Sequence, residues 1–153
     1  MFRRRDNRLD FLLVHPGGPF FVRKNLGAWS VPKGVAVSGE DFLTRAKIEF
    51  QEELGIEANG EHYLSLGSIQ QKGGKIVHAW AFEGDLPADF KLQSNTFELE
   101  WPPRSGEIQT FPEIDGAEFF NEKVARQKIN PAQVPFIDRL KELCSNREHR
   151  RCA

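Results

Sequence analysis

A chain of 153 residues with 21 basic and 22 acidic side chains has room for one domain around one core. Its net charge of −1 gives no electrostatic case for a polynucleotide or a membrane surface as partner, which leaves a small molecule as the expected ligand. Cys144 and Cys152, both near the C-terminus, make no disulfide framework and fit a reducing cytoplasm, and the apolar run Phe11–Val14 is too short for a signal segment or a membrane span.

In chain order, residues 1–10 read as a flexible start in which Arg3, Arg4 and Arg5 form a solvated basic arm. Phe11–Val14 predicts a short buried strand that ends at the turn signal His15-Pro16-Gly17-Gly18-Pro19. A loop leads through Trp29-Ser30-Val31-Pro32-Lys33-Gly34 to a helix over about Asp41–Leu54, with Gly55 as its left-handed stop. Tyr63–Gln71 and Lys75–Phe82 predict a hairpin turning at Lys72-Gly73-Gly74, the second strand central because it is almost wholly apolar. Phe97, Leu99 and Trp101 alternate with Glu98 and Glu100, a half-exposed strand that stops at Pro102-Pro103. A short strand over Glu118–Phe120 and helices over about Asn121–Ile129 and Pro135–Cys144 follow, and residues 145–153 are expected to be flexible. The order describes one α+β domain.

The segment Gly34–Ile56 carries the most chemistry. At about 100° per residue, Glu49, Glu52 and Glu53 project within roughly one 100° arc of one helix. Leu43, Ala46, Phe50 and Leu54 form an adjoining apolar face that seats the helix on a core. Crowded carboxylates need a counter-charge, and their hard oxygens suit Mg²⁺ or Mn²⁺.

These residues resemble the signature of the Nudix hydrolase family, G-x5-E-x7-R-E-U-x-E-E-x-G-U, with U a bulky apolar residue. Gly34, Glu40, Glu49, Phe50, Glu52, Glu53, Gly55 and Ile56 occupy its fixed positions, while Ile48 stands where the arginine belongs. The resemblance extends from Leu12 to about Leu143 and implies a mixed β-sheet sandwiched between helices, an α/β/α arrangement. Family members commonly begin with a strand upstream of the position of Phe11, where this chain has only Met1 and Phe2 before its arginines.

What the resemblance implies for function is metal-dependent hydrolysis of the pyrophosphate bond in a compound linked to a nucleoside diphosphate. Glu49, Glu52 and Glu53 are then the Mg²⁺ ligands, with Mn²⁺ as an alternative, and Glu49 and Glu53 take part in catalysis. Gly34, Glu40 and Gly55 shape the box. Glu113, ahead of the aromatic strand, is the first choice as general base, as in the family's dinucleoside polyphosphate hydrolases, before Glu98, Glu100 and Glu107. The run Trp29–Gly34 is similar to the approach to the box in that branch, which favours a nucleoside polyphosphate substrate. Lys33, Gly34, Lys72, Lys75 and Arg104 flank turns from which phosphate can be reached. Trp29, Phe20 and Phe21 can stack on a base, though core packing is the commoner use of aromatics. His78, within an apolar strand, reads as a hydrogen-bonded core histidine. In place of the missing arginine, Arg45 or Lys47 can supply the counter-charge. A domain that keeps this fold and binds a nucleotide or a partner without turnover is the competing expectation.

Overall fold

Leu12, Leu13 and Val14 are almost completely buried, which requires cover on both faces of the strand that carries them. The computed structural model, which describes residues 1–6 and 8–151, supplies that cover. Strand β2 (Arg8–Pro16) lies between β1 (Phe2–Arg5) and β7 (Ile114–Asn121), antiparallel to both, in register at Phe2↔Phe11 and Phe11↔Phe120. Because side chains alternate along a strand, Phe11 and Leu13 point into one apolar cluster while Leu12 and Val14 point into another.

The first cluster is closed by helices α2 (Glu122–Lys128) and α3 (Val134–Arg151), through Ala125, Phe136, Ile137 and Leu140. The second is closed by helix α1 (Phe42–Leu54) through Phe50 and Leu54. Helices therefore lie on both sides of the strands, and the fold is α+β in three layers. Two further hairpins complete it: β3 (Leu64–Gln70) with β4 (Ile76–Ala81), and β5 (Thr96–Glu100) with β6 (Ile108–Pro112). Instead of one continuous sheet the described strands form three small ones, with a parallel bridge at Phe2↔Glu83 tying the end of β4 to β1.

Several expectations change. Residues 1–10 are not a free arm: Phe2 is buried, and Arg3, Arg4 and Arg5 stand on β1, the short strand upstream of Phe11, with Arg3 paired to Asp10 and Asp85. Their charges are compatible with a strand because these partners face them. Strand β4 is not central, since along Ile76–Ala81 it pairs with β3 alone and its burial alternates. His78 is accordingly exposed and stacks on Phe42 with ring centroids 4.9 Å apart. The short strand at Glu118–Phe120 belongs to the longer β7, and β6 is a strand beyond those predicted. The last helix continues past Cys144 to Arg151; Cys144 is buried, and Cys152 lies outside the described residues. No helix among the described residues is long and apolar enough to cross a membrane.

Candidate active site

Helix α1 begins and ends where its sequence dictates. Asp41 caps it, its carboxylate accepting from the Thr44 amide at 2.8 Å, and Gly55 closes it at φ 75°, a left-handed conformation that costs glycine little. Between these caps Phe50 and Leu54 fasten the helix to β2, so the glutamates on the adjoining face are set by the register of α1 on the core.

Glu49 and Glu53 are buried, at 9% and 6% exposure, and Glu52 stands beside them half-buried. Arg45 Nε donates to Glu49 Oε1 at 2.7 Å; its Nη2 donates to the same oxygen and to Glu52 Oε2 at 3.1 Å. The Glu49 hydrogen bond, opposed by burial and reinforced by the fields of Glu49, Glu52 and Glu40, raises the Arg45 pKa above its ordinary value. Glu53 turns the other way and accepts from the Lys33 amide at 3.1 Å. The three carboxylates share one side of α1, as the spacing predicts. They do not meet at a point, because like charges separate and each turns to the nearest donor. Among the described residues no three His, Cys, Asp or Glu side chains form a ready-made metal cage.

Burial raises the Glu53 carboxyl to about 7; the Lys33 charge and amide oppose this, and the charges of Glu49 and Glu113 add to it. The influence of Glu113 puts it within electrostatic range of the box helix. Glu113 is exposed at the corner between β6 and β7, and a backbone relay ties that corner to α1: its N–H donates to Asn95 O at 2.8 Å, and the Asn95 N–H donates to Glu52 O at 3.1 Å. Ser94 Oγ accepts from the Ile114 amide at 3.0 Å. The rivals of Glu113 are placed less favourably. Glu100 accepts from the Gly106 amide at 2.9 Å within its own hairpin turn, Glu98 is exposed on β5, and Glu107 is exposed in the same hairpin.

The loop before the helix is equally constrained. A Cβ on Gly34 would lie 1.6 Å from the Glu49 carboxyl carbon, so this position admits no side chain while Glu49 stays where it is. Glu40 accepts from the Val37 amide at 2.9 Å and shapes the loop. Upstream, the fully buried Gln133 accepts from the Val31 amide at 3.0 Å and donates to Ser30 Oγ at 3.1 Å. Nothing in the local sequence marks Gln133, because its partners lie 102 and 103 residues away. Asn95 is similarly silent, since it acts through its backbone.

A cavity of about 520 Å³ opens beside Glu49 and runs between α1, β4 and α3. Lys33, Gly34, Lys75, Arg45 and Glu49 line it, with Phe42 and His78 among its aromatic residues. Lys72 and Arg104 stand in exposed turns, the latter at φ 66°, and do not line it. Trp29 is buried edge-on against Phe120, as core aromatics are, while the exposed Phe20 packs on Trp101.

No family model and no curated protein matches the chain. Among solved structures it is similar to a C. elegans Ap4A hydrolase in a binary complex, with 18% identity over 95% of this chain and 94% of that one, at a TM-score of 0.66. The NUDIX domain of Shewanella oneidensis NrtR complexed with ADP ribose matches with 14% identity over 94% and 82%, at 0.62. The E. coli ORF135 protein in solution matches with 22% identity over 95% and 88%, at 0.57. At such identities the likeness is one of backbone, and it joins the residue pattern of Gly34–Ile56 to a three-layer fold that agrees with it: the chain has the Nudix fold.

Proposed function

We propose that the chain is a divalent-cation-dependent pyrophosphohydrolase acting on nucleoside diphosphate-linked compounds, dinucleoside polyphosphates or nucleoside triphosphates among them, in the cytoplasm. The observation that carries this reading is the burial of Glu49 and Glu53 on the helix face they share with Glu52, with Glu113 near enough to act on Glu53. Buried carboxylates without a cation cost stability, so a fold that gathers them there implies a use. The similar structures include an Ap4A hydrolase and a Nudix domain complexed with ADP ribose, both of which point to a nucleotide with linked phosphates.

Glu49, Glu52 and Glu53 are the residues that would hold Mg²⁺ or Mn²⁺, whose preference for hard oxygen donors they fit. When bound, the cation supplies neutralisation of pyrophosphate charge and a lowered pKa for water. The chain's own residues do the rest. Lys33 and Lys75, on the cavity wall, pair with phosphate oxygens. Glu113 accepts a proton as water oxygen bonds to phosphorus, the anhydride P–O bond breaks, and the departing phosphate keeps the bonding pair. Lys72 and Arg104, in exposed turns off the cavity wall, are candidates for the more distant phosphates of a long substrate.

A second reading, a Nudix-fold domain that binds a nucleotide or a partner without turnover, is favoured by Ile48 at the arginine position of the box. Release of cleaved nucleotide products, read by chromatography, from Ap4A, ADP ribose and the nucleoside triphosphates with Mg²⁺ or Mn²⁺ separates the two. Cation-dependent release supports the hydrolase, and nucleotide binding with no release selects the second reading.

A further inference from the structure

Ile48 cannot orient a carboxylate, and it is 40% exposed. The helix nevertheless carries a guanidinium on the correct stripe one turn earlier. From Arg45, Glu49 is at i+4 and Glu52 at i+7, and one planar fork reaches both, through Nε at 2.7 Å to Glu49 and Nη2 at 3.1 Å to Glu52. Lys47, the other nearby cation, is turned elsewhere, its Nζ 4.1 Å over the Tyr63 ring.

The bonding leaves a pattern. Arg45 engages Glu49 Oε1 and Glu52 Oε2, and the Lys33 amide engages Glu53 Oε2. Among the described residues, no donor hydrogen-bonds Glu49 Oε2, Glu52 Oε1 or Glu53 Oε1. A carboxylate with one oxygen pinned has lost its rotational freedom and presents the other in a fixed direction, which is how outer donors orient metal-binding carboxylates. Had Arg45 engaged both oxygens of either glutamate, it would block a cation instead.

We propose that Arg45 is the positioning residue of this site: from one turn upstream it orients Glu49 and Glu52 for a divalent cation, in place of the arginine that Ile48 displaces. The proposal rests on the metal-dependent reading given above, and it requires the fork and not merely the charge.

The test is Mn²⁺ affinity, read from the EPR signal of unbound Mn²⁺ in titrations of the full chain, for the native sequence, Arg45→Gln, Arg45→Lys, and Arg45→Gln combined with Ile48→Arg. Arg45→Gln is expected to weaken Mn²⁺ binding by about tenfold or more, the usual cost of losing an outer-shell partner. Arg45→Lys should also weaken it, because an ammonium is a single point of charge, and Ile48→Arg should recover most of the loss in the double variant. A purely structural role for Arg45 would not be rescued from position 48. Arg45→Gln binding Mn²⁺ within about twofold of the native chain, or more tightly, overturns the proposal. If Arg45→Gln fails to fold, Arg45→Lys decides alone: native affinity there overturns it. A native chain that binds no Mn²⁺ refutes the metal-dependent reading itself, an outcome distinct from a native chain that binds and an Arg45 variant that binds equally well.

Discussion

Replacing Glu53 by glutamine should make the metal-free protein more stable and the enzyme inactive. Glu53 is 6% exposed, and its carboxyl is raised from 4.5 to about 7 by burial first, against the pull of Lys33, and then by Glu49 and Glu113. A raised carboxyl pKa means that the folded state holds the proton more tightly than the unfolded chain does. At pH 4 the group is protonated in both states and costs nothing. As pH climbs from 4.5 through 7 the folded protein must either keep a proton that the unfolded chain releases or bury a charge. Stability therefore falls across that window, and the deficit is complete above it.

A shift of that size, at about 1.4 kcal/mol per unit and shared in part with Glu49 and Glu113, corresponds to roughly 2 to 3 kcal/mol at pH 8. For a chain of this length one kcal/mol moves the melting temperature by about 2 to 4 °C. In the presence of EDTA, Glu53→Gln should then melt about 4 to 12 °C above the native chain at pH 8 and within about 1 °C of it at pH 4. The amide keeps an acceptor for the Lys33 N–H and the volume of the side chain. Adding Mg²⁺ at pH 8 should raise the native melting temperature and leave the variant unmoved, since a ligand stabilises only the state that binds it. A variant that melts at or below the native chain at pH 8 would show that the Glu53 charge is already compensated within the protein, and the argument for a cation there would fail.

Glu52→Gln should cut hydrolysis at least about a hundredfold with the melting temperature little changed, because Glu52 is half-buried and loses charge without volume; native turnover in this variant would remove Glu52 from the ligand set. Glu113→Gln should lower kcat by about 10² to 10⁴ and KM much less, as removal of a general base does, and the same phenotype in Glu98→Gln instead would move the base to β5. Gly34→Ala should abolish Mn²⁺-dependent turnover at a small cost in stability, since the new Cβ collides with the end of the Glu49 side chain and not with backbone; a variant active within about threefold would mean that Glu49 works from another position. Ile48→Arg alone should fold, the position being 40% exposed, and change the rate by less than about threefold because Arg45 already fills the orienting role; a tenfold gain would show that role unfilled.

The parts of the fold legible in the sequence are those whose causes are local. Asp41 and Gly55 mark the ends of α1, Gly73 and Gly74 take the positive φ that the β3–β4 turn demands, and the run Phe11–Val14 reads as a strand covered on both sides. Strand β1 was not legible, because three consecutive arginines look like solvated surface until Asp10 and Asp85 are brought opposite Arg3. The central place expected of β4 fails for a related reason: an apolar run does not say which of its faces finds a partner, and Ile76 and His78 are exposed.

The same division runs through the site. The box residues announce themselves because the chemistry needs their types and spacing on one helix. The groups that hold the box in place act from a distance, through Gln133 on the incoming loop and the backbone of Asn95 under Glu113, where residue type carries no signature. Arg45 falls between the two classes. Its spacing to Glu49 is readable as an i, i+4 pair, whereas Lys47 has no box glutamate at i+3 or i+4, so the sequence leans to Arg45 without fixing which cation is engaged. Packing decides it: Lys47 is drawn over the Tyr63 ring and away from the carboxylates, which leaves Arg45 as the cation bonded to both Glu49 and Glu52. A box that lacks its arginine can thus keep an orienting guanidinium wherever the helix repeat returns a side chain to the same stripe, so the geometry of that stripe is a better guide to an intact site than the identity of the residue at one position.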